Sequence, residues 1–114
     1  MTRDAPKMTQ TTQAVLRALL AEPSKAKYGL QICREAGLPS GTIHPILARL
    51  ELEHHWLESF LEDIDPTVAK RPQRRYYRFT RKGAEEARLA LAQASAKATK
   101  LRLGTQRPGL AGAQ

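Results

Sequence analysis

Apolar residues recur at helical spacing near the start of the chain, from Ala14 to Ala21, and predict a first helix. We expect the hydroxyl of Thr9 or Thr11 to cap it, because a threonine oxygen accepts a hydrogen bond from an otherwise unpaired backbone N–H. Pro23 ends the helix, since proline cannot continue the ladder of backbone hydrogen bonds. The positions predicted to face the core are Val15, Leu16, Leu19 and Leu20.

A short second helix is predicted from about Lys25 to Ala36, with Leu30 and Cys33 facing inward. Gly37 follows it, as a glycine commonly does at the end of a helix. Cys33 is interpreted as a small core residue, because no His or Lys stands where it would clearly activate the thiol.

A third helix is predicted after the turn at residues 38–40, with Ser40 as its N-cap. Its buried stripe has the spacing i, i+3, i+4, i+7 of one helix face and consists of Ile43, Ile46, Leu47 and Leu50. The opposite face is small and polar near the start of the helix, a shape that suits close approach to another molecule. Pro45 lies within this helix and is expected to bend or tighten its first turn.

Two strands follow, one predicted from Trp56 to Glu62 and its partner from Arg75 to Thr80. In the second strand the side chains alternate with the period of two that is typical of a half-buried strand. The connection, residues 63–74, contains two prolines and shows no periodicity, so it is predicted to be a loop. Two strands joined by an arginine-rich loop form a β-hairpin, or wing.

A last helix is predicted to open at residues 80–83 and to run to about Leu103, because alanine, the best helix former, dominates it. A narrow seam of mostly small side chains follows its length: Ala87, Leu91, Ala94, Ala98 and Leu101. One such helix cannot bury that seam against a domain this small, which indicates pairing with a second chain. The alternative is that the seam packs on its own domain.

These elements predict a mainly α-helical fold with a small β-hairpin wing: a winged helix-turn-helix followed by a C-terminal dimerisation helix. The expected organisation is a flexible N-terminus (1–8), a winged helix-turn-helix domain (9–80), a dimerisation helix (81–103) and a disordered tail (104–114).

Composition narrows the class of protein. The 114 residues fit one domain, and no apolar run approaches the roughly 20 residues that span a bilayer. No apolar stretch after the first residues resembles a secretory signal, and the single cysteine excludes an internal disulfide. We therefore expect a cytoplasmic protein without a membrane partner.

The net charge of +8 is distributed unevenly along the chain. Residues 1–62 are neutral in sum, and residues 63–114 carry the whole excess. Between Lys70 and Lys82 there are seven basic residues and no acidic one. Such a cluster attracts a polyanion, either nucleic acid or an anionic membrane surface, although a charge run alone is also compatible with a merely solvated face.

Four segments in order resemble the PadR family of bacterial transcriptional regulators. They are YGLQI at residues 28–32, GTIHPILARLE at 41–51, WLES at 56–59 and RRYYRFT at 74–80, with Gly83 after them. The resemblance covers roughly residues 12–92. Two positions depart from the family pattern: His44 stands where tyrosine is usual, and His55 stands where a glycine usually ends the third helix.

The resemblance implies a homodimer that binds a palindromic operator on double-stranded DNA as a transcriptional regulator, a repressor in the first instance. It also implies the short subfamily, with a single C-terminal helix. The third helix would enter the major groove by its N-terminal end, and the start of the second helix would contact phosphates. The wing would reach either the adjacent backbone or the minor groove. The expected DNA-binding residues are Lys25, Lys27, Tyr28, Ser40, Thr42, His44, Arg49, Arg71, Arg74 and Arg75.

Other interpretations of single residues remain open. Arg49 has an i+4 neighbour, Glu53, with which it can pair, and Tyr76 and Tyr77 are favoured as wing packing over base stacking. Family members respond to phenolic or drug-like molecules, and Trp56 is the aromatic candidate for such an effector pocket, although a core position is favoured.

Enzyme function is not expected, because no P-loop, paired carboxylates, nucleophile elbow or zinc signature is present. We predict neither a cofactor nor a metal site, since the three histidines lack a completing carboxylate. Two rival functions keep the same fold: a phage- or plasmid-type architectural or partition protein, and a winged helix that binds another protein.

Overall fold

The computed structural model describes the backbone of residues 6–106 and the side chains of residues 6–102. The elements in chain order are α1 (Gln10–Leu20), β1 (Lys27–Tyr28), α2 (Gly29–Ala36), α3 (Ser40–Leu52), β2 (Leu57–Leu61), α4 (Pro66–Ala69), β3 (Arg75–Phe79) and α5 (Arg81–Gln106). The expected mainly helical fold with a small hairpin is confirmed.

One apolar core joins α1, α2, α3, the sheet and the start of α5. All of the residues predicted for the buried stripe of α3 lie in it, and so do Val15, Leu16 and Leu19 of α1. Thr9 is the N-cap of α1: its hydroxyl accepts a hydrogen bond from the backbone N–H of Thr12 at 3.1 Å. The first of the two expected caps is therefore confirmed.

The second helix differs from its prediction. Residues 27 and 28 form β1, which pairs antiparallel with β3, so α2 begins only at Gly29. The inward face of this short helix is set by Ile32 and Cys33. Leu30 precedes Ile32 by two residues, about 200° around the helix, and it is 56% exposed rather than buried. The prediction that Leu30 faces inward was wrong.

The sheet has three strands in the order β1-β3-β2, one more than the expected hairpin. β2 and β3 pair antiparallel, with Leu57 opposite Phe79 and Leu61 opposite Arg75. The connection between them, expected to be irregular, contains the single-turn helix α4. Asp65 caps that turn by accepting from the N–H of Thr67, and Pro66 occupies its first position.

The ends of α3 also differ in detail from the prediction. Ser40 is the first helical residue and Pro39 is the N-cap, with no side-chain capping bond, so the expected Ser40 cap was wrong. The helix runs through Pro45 to Leu52. His55 then has a φ of 59°, the left-handed conformation that glycine adopts without strain. His55 thus adopts the backbone angle for which the family pattern has a glycine.

The last helix begins at a capped and closely packed turn. The hydroxyl of Thr80 donates to the carbonyl of His55 at 2.8 Å and accepts from the N–H of Gly83 at 3.0 Å. Gly83 lies so close to the backbone of Trp56 that a Cβ there would overlap its carbonyl group. α5 continues through Gln106, so the tail expected from residue 104 does not begin there, and residues 107–114 lie outside the described part.

The N-terminal segment is described from Pro6 onward; residues 1–5, part of the segment expected to be flexible, lie outside the description. Within residues 6–8, Met8 packs against the core and its carbonyl accepts from the side chain of Gln13 at 2.8 Å. The last residues of the expected flexible segment are thus held against α1.

Candidate nucleic-acid interface

The N-terminal half of α3 presents a face of small and polar side chains. The exposed residues there are Ser40, Gly41, His44 and Pro45, with Thr42 half-buried, and Ala48 and Arg49 continue the exposed surface into the second half of the helix. The His44 ring lies against the start of α2, because a Cβ built on Gly29 would be 3.0 Å from its Cε1 atom. The start of α2 is therefore in contact with the exposed face of α3.

Arg49 is exposed, and no ion pair joins it to Glu53 among the side chains of residues 6–102. The expected alternative, in which an i+4 pair occupies Arg49, is not formed. Arg49, unpaired among these side chains, thus lies at the flank of the exposed face opposite His44, about 140° around the helix.

Lys27 is buried, with only 1% of its surface exposed. Its Nζ donates to the carbonyl of Ala18 at 2.9 Å and pairs with Glu35 at 2.7 Å and Glu22 at 3.2 Å. Burial lowers the pKa of Lys27, but the hydrogen bonds to the two carboxylates outweigh it and leave the pKa raised. The predicted phosphate contact by Lys27 was wrong, because this ammonium joins α1, β1 and α2 from inside.

Lys25 remains exposed, with Nζ 3.8 Å from a carboxylate oxygen of Glu22. At that separation and exposure the pair is weak, so the ammonium stays available to another anion. Lys25 and Lys27, two residues apart in sequence, therefore have opposite roles.

The wing is held together at its base by Glu62. Both terminal nitrogens of Arg71 donate to this carboxylate, at 2.7 and 2.8 Å, and the backbone N–H of Arg74 adds a third bond at 3.2 Å. The hydrogen bonds from Arg71 are the main cause that lowers the pKa of Glu62 to about 2. Of the three predicted wing arginines, Arg71 is thus engaged within the protein.

Arg74 stacks its guanidinium over the ring of Tyr28, 4.2 Å from the ring centroid. Arg75 donates to the hydroxyl of Ser59 at 3.0 Å and remains exposed. A cleft of about 360 Å³ separates the wing segment 71–75 from the start of α2, residues 28–30. Tyr28 and Arg74 meet at this cleft, so the wing and α2 border one continuous surface.

An aromatic row crosses the outer face of the sheet and was not predicted. Tyr28, Tyr76 and Phe60 are opposite one another in the register of the three strands. Their ring centroids are 5.6 Å apart for Tyr28 and Tyr76 and 5.9 Å apart for Tyr76 and Phe60. The preference for wing packing over stacking on bases agrees with this arrangement of Tyr76 and with the burial of Tyr77.

Trp56 is 1% exposed and belongs to the core. Its indole N–H donates to Glu86 at 2.8 Å. The ring therefore has no face open to an effector, and the expectation that Trp56 lines a ligand pocket was wrong; the favoured alternative, a core position, is what the fold shows.

The predicted seam of α5 divides into two parts. Ala87 is fully buried and therefore does not face a partner, and Leu91 is partly buried against the core of the same chain. Ala94, Ala98 and the 62% exposed Leu101 instead line a groove of about 490 Å³ beside the segment that contains Met8.

Among the described side chains, no group of three or more His, Cys, Asp or Glu residues is arranged to hold a metal ion. Within the same part of the chain, no helix combines the length and apolar character required to cross a membrane.

No family model matches the sequence, and no curated protein matches it either. Solved structures do. The PcaV transcriptional regulator of Streptomyces coelicolor, solved with its natural ligand, superposes with a TM-score of 0.64 at 23% identity, over 91% of this chain and 67% of that one. The fold is a winged helix-turn-helix.

Two further structures share this architecture. The smu.1704 protein of Streptococcus mutans matches with a TM-score of 0.62 at 18% identity, over 96% of this chain and 100% of its own. A PadR-like transcription factor from Bacteroides fragilis matches with a TM-score of 0.51 at 23% identity, over 82% and 88%. At these identities the likeness is one of fold, and it supports the winged-helix interpretation of the sequence.

Proposed function

We propose that this protein is a sequence-specific regulator of transcription that binds double-stranded DNA as a homodimer, of the PadR type that its sequence motifs resemble. The observation that carries the proposal is the continuity of one surface: the start of α2 touches His44 of α3 on one side and borders the arginine-bearing wing on the other. A duplex that receives α3 in its major groove meets both flanks at once.

The chemistry of that surface fits DNA. Small residues such as Gly41 and Ala48 allow the helix backbone to approach base edges, while Thr42, His44 and Arg49 carry donors for them. Lys25, Tyr28, Ser40, Arg74 and Arg75 are the candidates for contacts to phosphates. Since the proposed ligand is genomic or plasmid DNA, the protein would act in the cytoplasm.

The proposed homodimer is supported by the outer part of α5. After Leu91, nearly every side chain up to Arg102 is exposed on its own chain. A helical segment of that length is marginally stable in water without a packing partner. A second copy, packed along Ala94, Ala98 and Leu101, supplies one and places two α3 helices for a palindromic site.

The decisive experiment is selection of bound fragments from a random DNA pool, followed by footprinting on the selected sequence. One short palindrome, protected in two halves, is the expected result; repression follows if that site overlaps a promoter. Tandem or spreading protection favours an architectural or partition protein, and no enrichment at all contradicts the proposal.

A matched pair of variants links the result to the surface. Arg49→Ala should lower affinity for the selected palindrome by about tenfold or more, the value of a lost base contact. Arg88→Ala removes an equal charge from an exposed position on α5 and should change affinity much less. Equal losses in both variants would show that only the net charge matters.

A small aromatic effector, implied by the resemblance, would bind elsewhere than at Trp56. The groove beside Ala94 and Ala98 is the candidate, because it shares these two residues with the proposed dimer contact, and an effector bound there would lie between the two chains. Titration of small aromatic acids against the DNA complex tests this: release of DNA supports an effector, and unchanged affinity over the whole series contradicts it.

A further inference from the structure

One residue, Glu62, holds the base of the wing together by hydrogen bonds and an ion pair. It directly follows β2. Its carboxylate accepts both terminal nitrogens of Arg71 and the backbone N–H of Arg74. Its backbone N–H donates to the carbonyl of Arg74 at 2.8 Å, and its own carbonyl accepts from Gln73 at 2.9 Å. Three residues of the returning segment are thus bound to Glu62.

This arrangement neutralises Arg71. A bidentate pair with a carboxylate uses the parallel donors with which arginine would otherwise grip a phosphate. A further bond from Nη1 to the carbonyl of Pro72, at 3.3 Å, occupies another of its donors. A phosphate that reached Arg71 would have to displace Glu62 first.

Arg74 is held differently. Its guanidinium carbon lies over the ring of Tyr28, 4.2 Å from the centroid, a cation–π contact that holds the group beside the start of α2. Among the side chains of residues 6–102, none accepts a hydrogen bond from this guanidinium. The guanidinium of Arg74 therefore lies at the cleft, held against Tyr28, and its N–H donors are not used by any of these side chains.

We propose that Glu62 and Arg71 are positioning residues, which fix the wing so that Arg74, stacked on Tyr28, meets a phosphate of the DNA backbone beside the start of α2. This inference rests on the proposed function and deepens it, because it assigns different tasks to the three wing arginines. The contact is with the sugar–phosphate backbone, so it orients the protein on the duplex and carries no base preference.

The physical basis is preorganisation. The connection from Glu62 to Arg74 carries only one helical turn of its own. Without the Glu62–Arg71 ion pair, this connection would have to become ordered when DNA binds. Loss of the pair should therefore weaken binding by roughly tenfold without removing a charge that touches DNA.

A first test needs no DNA. The double variant Glu62→Gln, Arg71→Gln removes one charge of each sign and leaves the net charge unchanged. Trypsin does not cleave before proline, and residue 72 is proline, so the loss of Arg71 removes no cleavable bond. We expect cleavage after Lys70, Arg74 and Arg75 to be faster in the double variant by more than its loss of global stability explains, because the wing opens while the core stays folded. An unchanged cleavage rate would overturn the positioning role.

The second test uses the selected palindrome and compares the salt dependence of affinity. Each phosphate contact contributes about 0.9 to the slope of log K against log salt. Arg74→Gln should lower the slope by about 0.9 for each subunit, whereas the double variant should bind roughly tenfold more weakly with the slope of the parent.

Three outcomes count against the proposal. If the double variant loses as much slope as Arg74→Gln, Arg71 is itself the phosphate contact. If the affinity of the double variant equals that of the parent, the Glu62–Arg71 pair does not contribute to binding. If Arg74→Gln leaves the slope unchanged, Arg74 does not meet a phosphate. Failure of the parent protein to bind any DNA would instead contradict the proposed function, and the trypsin comparison would still stand.

Arg71→Lys is a second variant for the same measurements. It keeps the charge but loses the bidentate geometry, so it should resemble the double variant in trypsin sensitivity. Parent-like resistance in Arg71→Lys would show that charge alone, without the two parallel bonds, holds the wing.

Discussion

The indole N–H of Trp56 donates a hydrogen bond to the carboxylate of Glu86 at 2.8 Å, and this bond ties the second turn of α5 to the chain just before β2. The close approach of Gly83 to the backbone of Trp56 lies one turn earlier on the same helix. Two contacts on successive turns fix the orientation of the start of α5 relative to the winged domain.

Glu86→Ala should lower the free energy of unfolding by about 1–2 kcal/mol, because it leaves a buried indole N–H without an acceptor. Glu86→Gln is the matched control, since the amide oxygen can accept the same bond. Urea denaturation of both variants checks the prediction, and an equal loss in the two would assign the effect to the charge of Glu86.

Lys27→Met should destabilise the fold by about 2 kcal/mol, less than for a fully buried pair, because Glu22 and Glu35 are partly exposed. It should leave the salt slope of DNA binding unchanged, since Lys27 does not reach the surface. Lys25→Met, two residues away, should show the reverse: little change in stability and a smaller slope. A reduced slope for Lys27→Met would restore it as a phosphate contact.

The carboxyl group of Glu62 should titrate with a midpoint near pH 2, well below its ordinary value of 4.5, because Arg71 and the N–H of Arg74 stabilise the ionised form. Its folded pKa is lowered, so the pair stabilises the fold fully above pH 4.5, and that contribution is lost as the pH falls towards 2. The carbon-13 shift of the carboxyl group measures the midpoint directly. Arg71→Gln should move the midpoint upward, and a midpoint of 4.5 in the parent would contradict the pair.

Ala98→Glu should weaken self-association by tenfold or more, because it places a charge from each chain at the proposed contact between the two α5 helices. Ala96→Glu makes the same change on the other side of α5, where Ala92, Ala96 and Thr99 lie together, and should leave the oligomeric state unchanged. Sedimentation equilibrium distinguishes the two. A monomeric parent protein would contradict the homodimer itself.

Local sequence patterns predicted the elements whose signal is continuous along the chain. The i, i+3, i+4, i+7 stripe of α3 and the alanine-rich run of α5 are of this kind, and both helices were found. β1 was missed because two residues show no alternation, and its pairing partner, Tyr77, lies fifty positions further on in the register with Lys27. For α4 a signal was present, since Asp65-Pro66 is a helix-start pattern.

The candidate site was harder to predict because charge in a sequence does not reveal burial. Lys25 and Lys27 look equivalent in sequence. They differ in the structure because Lys27 belongs to β1, which carries its side chain inward. Arg71 was grouped with Arg74 because its partner, Glu62, is nine residues upstream across the hairpin. The stack of Arg74 on Tyr28 likewise depends on β1, the strand that the sequence did not predict.

The rigid attachment of α5 has a geometric consequence for the proposed dimer. A helix advances 1.5 Å and turns about 100° with each residue, so the number of residues between Glu86 and the contact at Ala98 acts as a ruler. In the proposed dimer it would set both the separation of the two α3 helices and their phase around the DNA, whose half-sites recur about every 34–36 Å. The number of residues in α5 between Glu86 and Ala98 would thus determine the distance between the two half-sites of the operator.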